Sequence, residues 1–239
     1  WSRDLDRALG LGTTHLSLYQ LTIEPGTRFA TDVAQRRFEP IGEERAAYLF
    51  ELTTSRTLGA GLPAYETSNH AAPGAESRHN LTYWRYGDYA GIGPGAHGRR
   101  TGQRTMRHRK PENFLSGVAR NGHGIVEAAD LTPREAADEA LVMGLRLTEG
   151  VDVGLIVDRF GTCPVDWDRV GRLEASGHVE SAGERIRLTP RGRLLLDHIL
   201  GEIAAADDRF TSAGRVRTPP VQTPPARPLP VSAAGSSRL

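Results

Sequence analysis

The fold class is decided by a helix–glycine–strand order that occurs twice near the start of the chain. The run His15-Leu16-Ser17-Leu18-Tyr19-Gln20-Leu21-Thr22-Ile23 has the residue types of a β-strand, and it follows a predicted helix that ends at Gly10. Residues 43–58 carry apolar side chains at helical spacing, Gly59 follows, and residues 62–68 supply a second predicted strand. Strands that alternate with helices predict a parallel α/β sheet, open or closed into a barrel.

The second region, residues 126–205, predicts a small module of helices with one hairpin. The sequence Thr132-Pro133-Arg134-Glu135 is a capping box before a helix, and two further helices follow, the first of which ends at Gly161. A hairpin is predicted over residues 178–188, and a closing helix starts at Thr189-Pro190. Three helices, a hairpin and a closing helix are typical of a winged-helix-like domain.

The third region, residues 206–239, is predicted to be a disordered tail. Its stretch 211–239 is rich in proline, contains four arginines and no acidic residue, and has few large apolar side chains. Such a composition buries too little apolar surface to offset the entropy of ordering. The predicted domains are therefore 1–125, 126–205 and 206–239.

Charge and cysteine content limit the classes of partner and compartment. The formal net charge is +1, which does not indicate a nucleic-acid or anionic-membrane partner. No run of residues is long and apolar enough to predict a transmembrane segment. Cys163 is the single cysteine, so no intrachain disulfide can form and a cytoplasmic location is expected.

The densest cluster of ligand-binding residue types lies in residues 78–89. This segment holds four aromatic residues, two arginines and His79, which together suit a pocket for a large, flat, anionic ligand. His79 could bind haem iron through a neutral ring nitrogen. The alternative interpretation is a buried aromatic core with one hydrogen-bonded histidine, and composition by itself favours that alternative.

A glycine-rich stretch, residues 91–98, follows the aromatic segment. A dinucleotide-binding loop would need a helix directly after it, and residues 98–102 do not favour one. Pro94 also lacks the amide hydrogen that an anion-binding nest would use. We therefore predict a tight turn at which the backbone passes close to a ligand or to a neighbouring strand.

Isolated histidines and the lone cysteine do not predict a metal centre or a nucleophile. His70, His79, His97 and His108 follow one another at spacings that match no common metal pattern. Cys163 has no evident histidine–acid partner, so we assign it no catalytic role.

Several segments resemble the HemW branch of the oxygen-independent coproporphyrinogen III oxidase family, whose members are radical-SAM proteins. The resemblance rests on Tyr65-Glu66-Thr67-Ser68-Asn69-His70-Ala71, on His79-Asn80-Leu81-Thr82-Tyr83-Trp84-Arg85 and on Gly91-Ile92-Gly93-Pro94-Gly95-Ala96-His97-Gly98. Residues 17–27 resemble the last core strand of that family, and residues 126–205 resemble its C-terminal domain. The His-Asn-x-x-Tyr-Trp element is typical of the haem-chaperone branch.

This resemblance implies a fold and a set of cofactors. The fold is the C-terminal part of a radical-SAM partial (β/α) barrel, followed by the winged-helix-like domain. The cofactors are haem and, in the intact protein, a [4Fe–4S] cluster with S-adenosylmethionine. The resemblance also implies that His79 is the haem-iron ligand and that Asn80, Tyr83 and Trp84 surround the haem.

The function that the resemblance implies is that of a haem chaperone, which binds haem for transfer to a recipient haemoprotein. The alternative is an oxygen-independent coproporphyrinogen III dehydrogenase of porphyrin biosynthesis, in which a 5′-deoxyadenosyl radical drives oxidative decarboxylation of propionate side chains. The His-Asn-x-x-Tyr-Trp element favours the chaperone. A homodimer is a further expectation for the intact protein.

The cysteine content bears on the radical chemistry. Three closely spaced cysteine thiolates hold a radical-SAM cluster, whereas this chain has one cysteine. The chain also begins at Trp1, directly on a helical pattern. We therefore expect a C-terminal fragment that lacks the cluster-binding cysteines and is inactive by itself as a radical-SAM enzyme.

The winged-helix-like pattern raises a third function class, a DNA-binding regulator. Its predicted third helix begins at Asp166, and residues 166–174 carry three acidic residues against two arginines. A helix of this charge is repelled by the phosphates that flank a DNA groove. We therefore expect no nucleic-acid partner.

Overall fold

The first region alternates helices with short strands. The computed structural model describes residues 1–205. The elements of the first region are, in chain order, α1 (Ser2–Leu9), β1 (His15–Ser17), α2 (Arg28–Ala34), α3 (Glu43–Gly59) and β2 (Asn69–Ala71). Helix α3 confirms the prediction over residues 43–58, and Leu5, on the predicted apolar face of α1, is fully buried.

The two strands of this region differ from the prediction in length and in direction. Strand β1 ends after three residues, and residues 62–68 do not form the second predicted strand. The partner of β1 is β2, and the pairing is antiparallel, with His15 opposite Ala71. The prediction of a parallel sheet is therefore wrong for these two strands.

A reversal of the chain explains the antiparallel pairing. The amide of Tyr65 donates to the carbonyl of Asn69 at 3.1 Å, and the amide of Ala71 donates to the carbonyl of Pro63 at 3.0 Å. The chain thus turns back on itself, and the returning arm, β2, lies beside β1. The alternation of apolar and polar residues cannot predict such a turn. It shows which face of a strand is buried, but not which segment pairs with a neighbouring strand.

The segment between the two repeated units and the helical module forms a second sheet that the sequence analysis did not predict. Its elements are α4 (Arg78–Trp84), β3 (His97–Arg100), β4 (Gln103–Arg107), α5 (Pro111–Asn121) and β5 (Ile125–Asp130). The three strands pair antiparallel in the order β3-β4-β5. Thr101 and Gly102 both have positive φ and form the tight turn between β3 and β4.

The glycine-rich stretch before β3 is a close backbone crossing, which confirms the predicted tight turn. A β-carbon on Gly98 would lie 2.8 Å from the amide nitrogen of Gly91, and one on Gly91 would lie 2.0 Å from the carbonyl oxygen of His97. Only glycine permits so close an approach of two backbone segments. The stretch therefore serves the packing of neighbouring backbone.

The helical module follows the predicted order of elements. These are α6 (Pro133–Gly144), β6 (Val151–Asp152), α7 (Val153–Phe160), α8 (Trp167–Ala175), β7 (Val179–Ala182), β8 (Arg185–Leu188), α9 (Pro190–Arg193) and α10 (Leu196–Ile203). The capping box of Thr132 and Glu135 is present, and Gly161 ends α7 in the left-handed conformation. The predicted closing helix is divided into α9 and α10.

The main apolar core lies in this module and reaches into the first region. Leu141, Val170, Ile186 and Ile199 are each at most 2% exposed, and they belong to one contiguous cluster. Tyr86, which follows α4, joins the same cluster. The module therefore packs directly against the segment that carries α4.

The predicted division into domains stays a prediction, and its first boundary falls inside a strand. Strand β5 pairs with β4, so residues on both sides of position 125 belong to one sheet. The predicted disordered tail, residues 206–239, lies outside the described residues. Within residues 1–205, none of the helices combines the length and the apolar character that crossing a bilayer requires.

Candidate functional site

Helix α4 carries all four residues that were predicted to surround haem. The hydroxyl of Ser77 accepts a hydrogen bond from the amide of Asn80 at 3.3 Å and caps the helix. At about 100° per residue, His79 and Tyr83 share one edge of the helix, while Asn80 and Trp84 share the next edge. The four residues therefore form two pairs on adjacent edges of α4.

The imidazole of His79 faces solvent. His79 is exposed, and its ring forms no hydrogen bond or ion pair with any other residue of 1–205. An unengaged imidazole can offer a ring nitrogen to haem iron without breaking an existing contact. The alternative of a buried, hydrogen-bonded histidine is therefore wrong for His79.

Asn80, by contrast, points into the protein. Its side-chain amide donates to the hydroxyl of Tyr65 at 3.0 Å, and that hydroxyl lies 3.0 Å from Nε2 of His15. The rings of His15 and Tyr65 contact each other with centroids 5.7 Å apart. Burial raises the pKa of the Tyr65 phenol, while the bond from Asn80 lowers it. Asn80 thus ties α4 to β1 through the side chain of Tyr65.

The aromatic residues of the segment divide into a half-buried group and one core residue. The ring of Tyr83 packs edge-on against Trp84, with centroids 4.8 Å apart, and against Tyr89 at 5.4 Å. Tyr86 is 4% exposed and packs against Phe160 of α7. The buried-core interpretation therefore holds for Tyr86, whereas Tyr83 and Trp84 remain partly accessible beside His79.

A surface ion pair joins the C-terminal end of α4 to the helical module. Arg85 donates Nε and Nη2 to the two carboxylate oxygens of Glu149, at 2.8 and 2.9 Å. The bidentate hydrogen bonds lower the pKa of the Glu149 carboxyl group. This pair and the Asn80–Tyr65 bond hold the two ends of α4 against different parts of the molecule.

Polar residues around β2 form a buried group that the sequence analysis did not identify. Glu66, Asn69 and His70 are each at most 4% exposed. The amide of Asn69 donates to the Glu66 carboxylate, and Nδ1 of His70 lies 2.9 Å from the hydroxyl of Thr57. Burial, followed by the charge of Arg193, lowers the pKa of His70 to about 4.

The signal that points to this group is the run of polar residues at positions 66–70. Polar side chains in a segment with strand character need buried partners, because an unpaired polar group costs free energy when it leaves water. Residues 66–70 were recognised as part of a family motif, but their burial could not be predicted from the sequence.

A cavity beside α4 does not include His79. It has a volume of about 360 Å³ and is lined by Trp84, Tyr86, Leu155 and Phe160, among others. His79 lies outside this lining. A haem bound to His79 would therefore rest against the outer surface of α4 and not inside the cavity.

Comparison with known proteins agrees with this architecture. Residues 131–195 match the family of the HemN C-terminal domain. The haem chaperone HemW of Bacillus subtilis is 31% identical over 200 residues, which cover 82% of this chain and 52% of that protein. HemW of Escherichia coli is 35% identical over 204 residues, which cover 82% of this chain and 51% of that protein.

The comparison of structures gives the same result for the fold. The structure of the coproporphyrinogen III oxidase HemN of Escherichia coli, a radical-SAM enzyme, superimposes on this chain with a TM-score of 0.64 and 17% sequence identity. The match covers 83% of this chain and 50% of the HemN chain. This chain is a relative of the HemW and HemN proteins. It spans about half the length of the curated relatives it matches.

The iron–sulfur cluster that this family resemblance implies does not fit the residues of the chain. The one thiol, on Cys163, is partly buried in the helical module and donates to the carbonyl of Val165 at 3.5 Å. Within residues 1–205 no three potential metal ligands converge. A cluster that requires three thiolates cannot be held by this chain's own side chains.

Haem, in contrast, fits the residues on α4. Haem iron would need an accessible nitrogen, such as that of the exposed His79, and the porphyrin would need aromatic surface, such as that of Tyr83 on the same helix edge. The side chains of α4 therefore have the chemistry that haem binding would require.

Proposed function

We propose that this chain forms the haem-binding part of a haem chaperone of the HemW type, which delivers haem to a recipient haemoprotein. Identities of 31% and 35% to proteins named haem chaperone HemW support this proposal, in each case over 82% of the chain. Within the proposal, His79 donates a ring nitrogen to the haem iron.

The observation that carries the proposal is the exposed imidazole of His79 on a capped and doubly held helix. Because the ring has no partner among the described residues, haem binding there requires no internal contact to be broken. Tyr83, one turn further along, would offer aromatic surface to the porphyrin, and Trp84 packs against Tyr83. Haem, when bound, would supply an iron centre for which His79 is the proposed ligand.

The proposal is tested by titrating the chain with haemin and following the Soret absorbance. The matched variants are His79→Ala and His198→Ala, since the side chain of His198 is also exposed on a helix. We expect a saturable Soret shift for the parent chain and for His198→Ala, and its loss in His79→Ala. Equal titration of all three proteins would contradict the assignment of the ligand.

A second candidate function is oxygen-independent dehydrogenation of coproporphyrinogen III. The likeness of fold to HemN favours it, although this likeness extends to the fold alone. The sequence element His-Asn-x-x-Tyr-Trp at residues 79–84 favours the chaperone. Anaerobic conversion of coproporphyrinogen III by the intact protein, including the cluster-binding segment that the resemblance implies, with S-adenosylmethionine and an electron donor, would decide for the dehydrogenase.

Location and assembly belong to the same proposal. The single cysteine supports a reducing compartment such as the cytoplasm, although a mouse relative, 37% identical over 209 residues, is named as mitochondrial. Cell fractionation tests the location. A homodimer is proposed as well, and light scattering of the purified protein measures the mass of the assembly.

A further inference from the structure

Side-chain hydrogen bonds to Asn80 and His15 meet at the phenol oxygen of Tyr65. Asn80 donates its amide to the phenol oxygen at 3.0 Å, so the phenol hydrogen is available for Nε2 of His15, also at 3.0 Å. In this arrangement His15 accepts through Nε2 and carries its own hydrogen on Nδ1. The three side chains form a continuous chain of donors and acceptors from α4 to β1.

Tyr65 is itself held in place by its backbone. The residue is 9% exposed, its amide donates to Asn69, and its carbonyl accepts from both the amide and the hydroxyl of Thr148, at 3.0 and 3.2 Å. The phenol oxygen is therefore a fixed point to which α4 is attached. The attachment matters because a helix of seven residues is too short to be stable without tertiary contacts.

The rotation of α4 about its axis sets the direction of the His79 ring. Asn80 is the next residue along the helix and lies about 100° around it, so the bond to Tyr65 is one of the contacts that set where His79 points, together with the Arg85–Glu149 pair. Metal-bound histidines are usually oriented by a hydrogen bond to their second ring nitrogen. Within residues 1–205 the His79 ring has no such bond, which leaves the orientation of the helix to define its direction.

We propose that Tyr65 is a positioning residue for haem binding: through Asn80 on one side and His15 on the other, it holds α4 in the rotation at which His79 meets the iron. This inference rests on the proposed haem-binding function. It assigns Asn80 a role inside the protein in place of direct contact with haem.

The test compares haemin complexes of the full 239-residue chain carrying Tyr65→Phe, Asn80→Ala, both changes together, or Tyr48→Phe. Tyr48 is 60% exposed on α3 and provides the matched control. Tyr65→Phe removes the hydrogen bonds to both Asn80 and His15, and the bond to Asn80 is the one that acts on α4. We expect this variant to release haem to apomyoglobin about two to ten times faster. A broadened Soret band would show that the coordination geometry has become heterogeneous.

The double variant distinguishes one connected link from two separate contacts. If Tyr65 and Asn80 act together, the double variant releases haem no faster than the single variants. A role in folding alone would lower the melting temperature and leave the spectrum and release rate of the folded fraction unchanged, and that result would overturn the inference.

Failure of the inference and failure of the proposed function give different results. If His79→Ala abolishes the Soret shift while Tyr65→Phe leaves spectrum and release rate as in the parent chain, the inference is wrong and haem binding at His79 stands. If the parent chain gives no Soret shift, or if His79→Ala binds as the parent does, both are wrong.

Discussion

The buried His70 makes the stability of this protein depend on pH in a way that can be calculated. Burial holds the pKa of its imidazole at about 4 in the folded chain, against an ordinary value of 6.5. Between these two values the unfolded chain binds a proton that the folded chain does not, so the free energy of unfolding falls as the pH falls. Above pH 6.5 the imidazole is neutral in both states and has no effect.

The size of the effect follows from the difference between the two pKa values. Each pH unit of the window costs about 1.4 kcal/mol, so the loss approaches about 3 kcal/mol at pH 4 and is about 2 kcal/mol at pH 5. For a protein of ordinary stability this is a large fraction of the total. The residue is 3% exposed, and solvent therefore screens little of the cost.

Urea unfolding of the parent chain and of His70→Leu at pH 7, 6 and 5 measures this effect. Leucine cannot titrate, and Thr57 keeps the carbonyl of Thr53 as a hydrogen-bond acceptor at 3.0 Å. We expect the parent to lose about 2 kcal/mol more than His70→Leu between pH 7 and pH 5. The exposed-histidine variant His198→Leu should follow the parent, and parallel profiles for the parent and His70→Leu would refute the reasoning.

Two further predictions concern packing. Leu145→Ala should lower the free energy of unfolding by about 2–5 kcal/mol, because the side chain is 2% exposed in the main core and its removal leaves a cavity. A urea midpoint within experimental error of the parent's would contradict this packing. Gly98→Ala should lower the free energy of unfolding by about 1–3 kcal/mol, because its β-carbon would lie 2.8 Å from a backbone nitrogen. Gly171→Ala, on α8 with open space around its β-carbon, should instead raise the free energy of unfolding by up to about 1 kcal/mol. Thermal melts of the two glycine variants that shift in the same direction would count against this distinction.

The local signals in the chain predicted most of the helical module. The capping box at Thr132, the glycine at 161 and the tight hairpin turn each depend on the chemistry of a few neighbouring residues, and the structure contains all three. The prediction of α3 succeeded for the same reason, since helical spacing of apolar residues is a property of one continuous segment. The residues predicted to bind haem were recognised from a sequence motif, and all four lie on α4.

The direction of the strands and the partners of the site residues could not be predicted in this way. Strand β1 pairs with a returning arm because Tyr65 and Asn69 bond across a reversal, and no pattern of apolar residues encodes that bond. Asn80 was predicted to face haem, while the structure gives its amide an internal partner fifteen positions earlier in the chain, Tyr65. The three-stranded sheet around β4 was missed altogether, although β5 alternates between partly buried and exposed residues, because two of its strands are joined through a helix.

The sequence by itself determined the helices α1, α3, α6, α7 and α8, with ends close to those observed, and the family that the chain resembles. These properties depend on dihedral preferences, capping groups and apolar spacing within a few residues of each position. Only the tertiary structure decided that His79 faces solvent, that His70 and Glu66 are buried, and that Tyr65 connects α4 to β1. Those outcomes depend on contacts between residues far apart in the chain. Such contacts contribute free energy only after the segments have packed together.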